Sequence, residues 1–184
     1  LTGGSTWIPG IIAQLYPDDV NAAALLAGAD RARSMLQKAA TLEVSRLGQE
    51  LYVRIINETG HKLPTGYPEG RRVWVNVRFL DGTMTLLGES GAYDQSTGVL
   101  TEDPELTVYE VTPVTDGVPG VPDGSHFHFV LGNRISKDNR IPPRGFTNAA
   151  YDAFGGTPVG ATYADGEYWD DLTYTIPIGT ATAE

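Results

Sequence analysis

The chain has 184 residues, 41% of them hydrophobic, yet no apolar run approaches the roughly 20 residues a bilayer-crossing helix needs. Acidic residues outnumber basic ones 23 to 13, a formal net charge of −10. That balance argues against nucleic acid and anionic membrane surfaces as partners, because phosphate recognition needs clustered Lys and Arg. There is no cysteine, which excludes disulfides, thiolate nucleophiles, cysteine-ligated zinc and covalently attached c-type haem in this chain.

The length suits a single domain with one sizeable core. Its 22 glycines and 12 prolines exceed the average share and imply many turns, hence many short strands. The chain opens Leu1-Thr2-Gly3-Gly4-Ser5, without an initiator Met or an apolar leader core. It reads as a mature form, a proteolytic piece or a segment of something longer.

Residues 1–17 are expected to be an irregular N-terminal arm, with Gly and Pro interrupting Trp7, Ile8, Ile11, Ile12, Leu15 and Tyr16. Such an arm cannot form a core alone. It is the expected contact with a neighbouring domain or chain, self-assembly included. Asp18 or Asp19 can cap a helix over 18–40, where Leu25, Ala29, Ala32, Met35 and Ala39 recur at helical spacing. From Thr41 the period falls to two, as in Leu51, Val53 and Ile55, and again in Val73, Val75, Val77 and Phe79. Asp81-Gly82 offers a hairpin turn into 83–90. Further strands are expected at 106–112, 126–132, 144–150 and 171–178, with 113–125 a long hairpin loop. The pattern predicts a mainly β fold: an antiparallel sandwich of about seven to nine strands over 41–184, with the arm and one helix packed on it.

The most distinctive block is Gly60-His61-Lys62-Leu63-Pro64-Thr65-Gly66, continuing to Arg71-Arg72-Val73-Trp74. It is joined by Glu89-Ser90-Gly91-Ala92-Tyr93-Asp94 and by Lys137-Asp138-Asn139-Arg140-Ile141-Pro142-Pro143. Together these blocks resemble the C-terminal β-rich domain of bacterial multihaem c-type cytochrome family proteins, over nearly the whole chain. The resemblance implies an exported accessory domain, periplasmic or extracellular, that docks on a haem-bearing domain or chain and supports extracellular electron transfer. The Cys-x-x-Cys-His haem sites of such proteins are absent here. No haem is therefore covalently attached here, and the resemblance implies that haem is contacted in a partner.

His61, in a loop stiffened by Pro64, is the candidate haem ligand in trans; its bland alternative is hydrogen bonding that fixes the turn. Lys62, Pro64, Thr65, Arg71 and Arg72 are the candidate docking residues. Arg71 and Arg72 occupy adjacent strand positions, so only one can fork onto an internal carboxylate. Asp138 and Asn139, beside rigid Pro142-Pro143, are the candidate calcium pair. His126 and His128 share one strand face and could clip a metal, given a third ligand. For catalysis, no Gly-x-Ser-x-Gly elbow, His-x-x-x-His pair or phosphate loop appears, so the expectation is a non-enzymatic protein. The alternative is a carbohydrate-binding sandwich using Tyr163, Tyr168, Trp169 and Tyr174, or Tyr67, Trp74 and Tyr93.

Overall fold

The computed structural model describes residues 5–66, 70–126 and 130–184, and the chain divides into two compact units, Leu1–Thr41 and Leu42–Glu184. In the first unit the expected irregular arm is corrected, because Ile8–Leu15 forms a helix, α1. Pro9 sits in its first turn, where a missing N–H costs nothing. Ser5 Oγ accepts a hydrogen bond from the Ile8 amide at 3.0 Å. The second helix, α2, spans Ala22–Gln37 and is capped by Asn21, whose Oδ1 accepts from the Ala24 amide at 3.0 Å. Asn21 replaces the Asp18 or Asp19 cap expected from sequence. The two helices pack together, with Ile8, Pro9 and Ile12 sharing a hollow with Leu25 and Gly28. Among the described residues no helix is long and apolar enough to cross a membrane.

The second unit is mainly β and antiparallel. Its strands, counted with one that begins at Ala40, fall into four small sheets among the described residues, where fewer strands in a sandwich were expected. β1 (Ala40–Leu47), β2 (Glu50–Asn57) and β10 (Trp169–Thr175) form one sheet in that spatial order. Leu51, Val53 and Ile55 of β2 are buried, as are Leu172 and Tyr174 of β10. The register sets Leu172 opposite Val53 and Tyr174 opposite Leu51, so one face of this pair enters the core. On the other face Arg54 forks onto Asp171, its directly opposed partner, at 2.7 and 2.8 Å.

The expected strand through 73–80 is split into β3 (Arg72–Trp74) and β4 (Val77–Leu80), which join different sheets. β4 pairs with β5 (Leu86–Ser90) across a turn organised by Asp81, whose Oδ1 accepts from the Thr83 and Thr85 amides. The turn is therefore longer than the two-residue Asp-Gly form. Gly91, at φ 72°, tolerates no side chain: a Cβ there would lie 2.7 Å from the Val75 carbonyl oxygen. The short strands β6 (Tyr93–Asp94) and β7 (Val99–Leu100) pair with each other. β8 (Val108–Val114) lies between β3 and β9 (Arg134–Asp138). The strand expected at 144–150 is corrected to a short helix, α3 (Asn148–Asp152), capped by the Thr147 side chain. β11 (Thr182–Ala183) closes the chain against β4. The strand expected at 126–132 falls partly outside the described residues, and Val130 and Leu131 lie in a turn.

Candidate functional site

β2 ends in Asn57, which is fully buried. Its Nδ2 donates to the carbonyls of His61 (2.8 Å), Ile141 (3.0 Å) and Pro142 (3.0 Å). Its Oδ1 accepts from the Thr59 amide and hydroxyl, both at 2.8 Å. One side chain thus satisfies the backbone of two chain segments more than 80 residues apart in sequence. A buried amide earns its place only when its donors and acceptors are met, as they are here. Leu63 and Ile141 then exchange amide–carbonyl bonds of 2.9 and 3.1 Å. The histidine-bearing loop is welded to the segment after β9.

Beneath the loop lies an ion cluster. The Lys62 Nζ donates to Asp138 Oδ2 at 2.8 Å and to the Gly156 carbonyl at 2.7 Å, and sits 5.5 Å from the centre of the Tyr151 ring. Arg140 forks onto the same carboxylate, Nε and Nη2 each at 2.8 Å. Lys62 and Asp138 are 7% and 4% exposed, so both charges are largely removed from water. Burial alone pushes the Asp138 carboxyl up, but the hydrogen bonds and charges of Arg140 and Lys62 outweigh it and hold the group below the usual carboxylate range. Lys62 is lowered as well: burial brings it down, against the opposing hydrogen bond and charge of Asp138.

The structure redistributes the residues singled out from sequence. His61 is exposed, and among the described residues its imidazole makes no hydrogen bond; its backbone carbonyl fixes the turn instead. Lys62, expected on the docking surface, is corrected to a buried ion-pair partner. Thr65 is exposed and Pro64 partly so. Among the described residues neither Arg71 nor Arg72 forks onto a carboxylate. Arg71 Nη1 donates to the Thr65 carbonyl at 2.9 Å, and the Arg72 guanidinium lies 5.6 Å from the Trp74 ring centre. Arg140 makes the fork instead.

Asp138 and Asn139 do not present oxygens for calcium. The Asp138 carboxylate is occupied by two cations, while Asn139 Oδ1 accepts from the Glu110 amide and its Nδ2 donates to the Val108 carbonyl. No group of three or more metal-binding side chains occurs among the described residues. His126 borders a hollow of about 500 Å³ with Arg71, Arg72 and Glu110; His128 lies outside the described residues. Among the described aromatic residues Trp74 pairs with Tyr93, ring centres 5.4 Å apart, and Tyr168 with Trp169 at 5.1 Å. Tyr163 and Tyr174 are buried, and guanidinium groups of Arg144 and Arg54 lie over Tyr168 and Trp169. Tyr67 is outside the described residues.

The weld and the ion cluster border a shallow cleft of about 240 Å³, lined among others by His61, Thr65, Arg140, Tyr151 and Phe154. Sequence reasoning chose His61 and Thr65 for this region. It missed Tyr151 and Phe154, which follow the strand expected at 144–150. The Thr147 cap three residues before Ala150 is the signal that would have placed them on and after a helix.

No family model matches the chain, and no curated protein matches it. Among solved structures the chain is similar to a penta-haem cytochrome c552 from Thermochromatium tepidum, at 18% identity and a TM-score of 0.45. The match covers 82% of this chain and 31% of that one, so the chain spans about a third of the cytochrome's length.

Proposed function

We propose that this chain is a non-enzymatic accessory domain of an exported multihaem cytochrome system, which docks on a haem-bearing domain or chain through the 57–66 loop. The observation that carries this reading is the pairing of an internally fixed loop with an exposed imidazole that has no hydrogen-bond partner among the described residues. Asn57 and the Leu63–Ile141 exchange hold the backbone, the His61 carbonyl included, so none of the loop's rigidity depends on the His61 imidazole. A side chain without structural work, presented on a preorganised loop, is suited to contact another molecule at low entropic cost. Two of the sequence blocks that resemble the multihaem cytochrome domain, 60–66 and 137–143, contribute to this weld. Haem is then contacted in the partner, with His61 as the ligand in trans.

Titration of the chain into a multihaem c-type cytochrome, read by calorimetry and by the Soret band, tests the proposal. Saturable binding is expected, with a Soret change that His61→Ala abolishes. Binding that His61→Ala leaves intact, with no Soret change, would keep docking and remove ligation. No binding to any haem-bearing partner would reject the docking role.

A further inference from the structure

We infer that the cleft beside His61 is a binding site for a carboxylate carried on a flat, apolar body. The inference goes beyond docking and stands on the cleft alone.

Two features define the ligand. The first is charge. Lys62 and Arg140 share the single carboxylate of Asp138, so the cluster carries one uncompensated positive charge. Lys62 is committed, with its ammonium bonded to Asp138 and Gly156. Arg140 is not: its fork uses Nε and Nη2, and Nη1 has no partner among the described residues. Its side chain is 17% exposed, and it lines the cleft. A guanidinium nitrogen held in place by a fork is a preorganised donor for a second carboxylate. His61 lines the same cleft, and Arg71 donates to the carbonyl of Thr65, another of its lining residues.

The second feature is the aromatic wall. Tyr151 and Phe154 line the cleft with ring centres 4.9 Å apart, and Phe154 is 69% exposed. Tyr151 is backed by Phe146, at 4.8 Å, and Phe146 is fully buried. The wall is therefore anchored in the core at one end and open at the other. An exposed Phe beside a cationic corner suits a ligand with a flat hydrocarbon body and an acidic edge. A free aromatic acid and a haem edge with its propionate share that chemistry.

The test is an NMR titration of the full chain with benzoate, with benzyl alcohol as the uncharged counterpart. Saturable amide shifts are expected at 61–66, 138–141 and 151–156, with none from benzyl alcohol. Arg140→Gln is expected to weaken benzoate about tenfold, the scale of one lost charge-assisted hydrogen bond. Because Arg140 also supports Asp138, Phe154→Ala is the second variant; it removes no hydrogen bond of the ion cluster and is expected to weaken benzoate about threefold through lost apolar contact. Equal shifts from benzyl alcohol, shifts scattered over other basic residues, or affinity unchanged in both variants would overturn the site.

Competition separates the sources of the carboxylate. Benzoate that displaces a multihaem cytochrome assigns the site to a haem carboxylate of the partner; benzoate that binds without displacing it assigns the site to a free acid. Cytochrome binding without benzoate binding would overturn this site and leave the docking role standing. Benzoate binding without cytochrome binding would do the reverse.

Discussion

Asp138 and Asp170 are carboxylates withdrawn from water in the same β unit, and they respond in opposite ways. Asp138 closes β9 with Lys62 and Arg140 on its oxygens and titrates below the usual range. Asp170 lies near the start of β10 with the Tyr109 hydroxyl at 2.7 Å and the Asp171 amide at 3.0 Å. Burial raises Asp170; those two hydrogen bonds pull it down without prevailing, and the nearby Asp171 and Glu167 charges add to the rise. Neutral donors do not offset the loss of hydration and the like charges, whereas two cations do. The first site is built around a charge. The second merely tolerates one.

The largest effect is expected where the charge is structural. Asp138→Asn strands the Lys62 ammonium in the interior, and a loss of about 3–5 kcal/mol is expected in urea unfolding. A loss below 1 kcal/mol would mean the cluster is not holding the loop. Next is Asn57→Ala, which leaves the His61, Ile141 and Pro142 carbonyls without their shared donor. About 2 kcal/mol is expected, the usual cost of buried polar groups left unpaired, with Asn57→Asp no better because it cannot donate.

The pH dependence sharpens the contrast. Asp138 has a folded-state pKa below its unfolded one, so its contribution is complete above about pH 4 and lost as pH falls through the lowered value. Asp170 has a folded-state pKa above its unfolded one, so its penalty is complete at neutral pH and is relieved as pH falls toward about 4. The unfolding free energy of Asp138→Asn is therefore expected to show a flatter acid limb than the parent chain. The smallest effect belongs to Asp170→Asn: a gain of up to about 1 kcal/mol at pH 7 that disappears near pH 4. A loss at pH 7 would show that the Tyr109 hydrogen bond requires the ionised acid.

Much of the fold was legible because it follows local period. The alternation of Leu51, Val53 and Ile55 marks a half-buried strand, and the structure buries those three residues. The mainly β, antiparallel character follows from the same signal. Errors came where two local signals competed. Asn21 displaced two aspartates as a cap, and Pro9 began a helix where it was taken to prevent one. Val75 and Asn76 interrupt an alternation that reads as one continuous strand, a break that only sheet pairing decides. At the site, the loop was legible from its Gly and Pro residues, but its fastening was not. Lys62 meets Asp138 across 76 positions and Asn57 meets Ile141 across 84. Nothing in either neighbourhood announces the other. That is why Lys62 read as a surface cation and Asp138 as a calcium ligand.

The claim on which the rest depends is that the 57–66 loop is fixed from within and presents His61 on a rigid support. Native-state amide hydrogen exchange at Leu63 and Ile141 measures this most directly, since their amides form the exchanged pair. Both are expected to exchange as slowly as the Val53 and Leu172 amides of the β2–β10 pair, and in Asp138→Asn to accelerate while that pair stays protected. Leu63 and Ile141 amides that exchange in the parent chain as fast as those of an open loop would contradict the account.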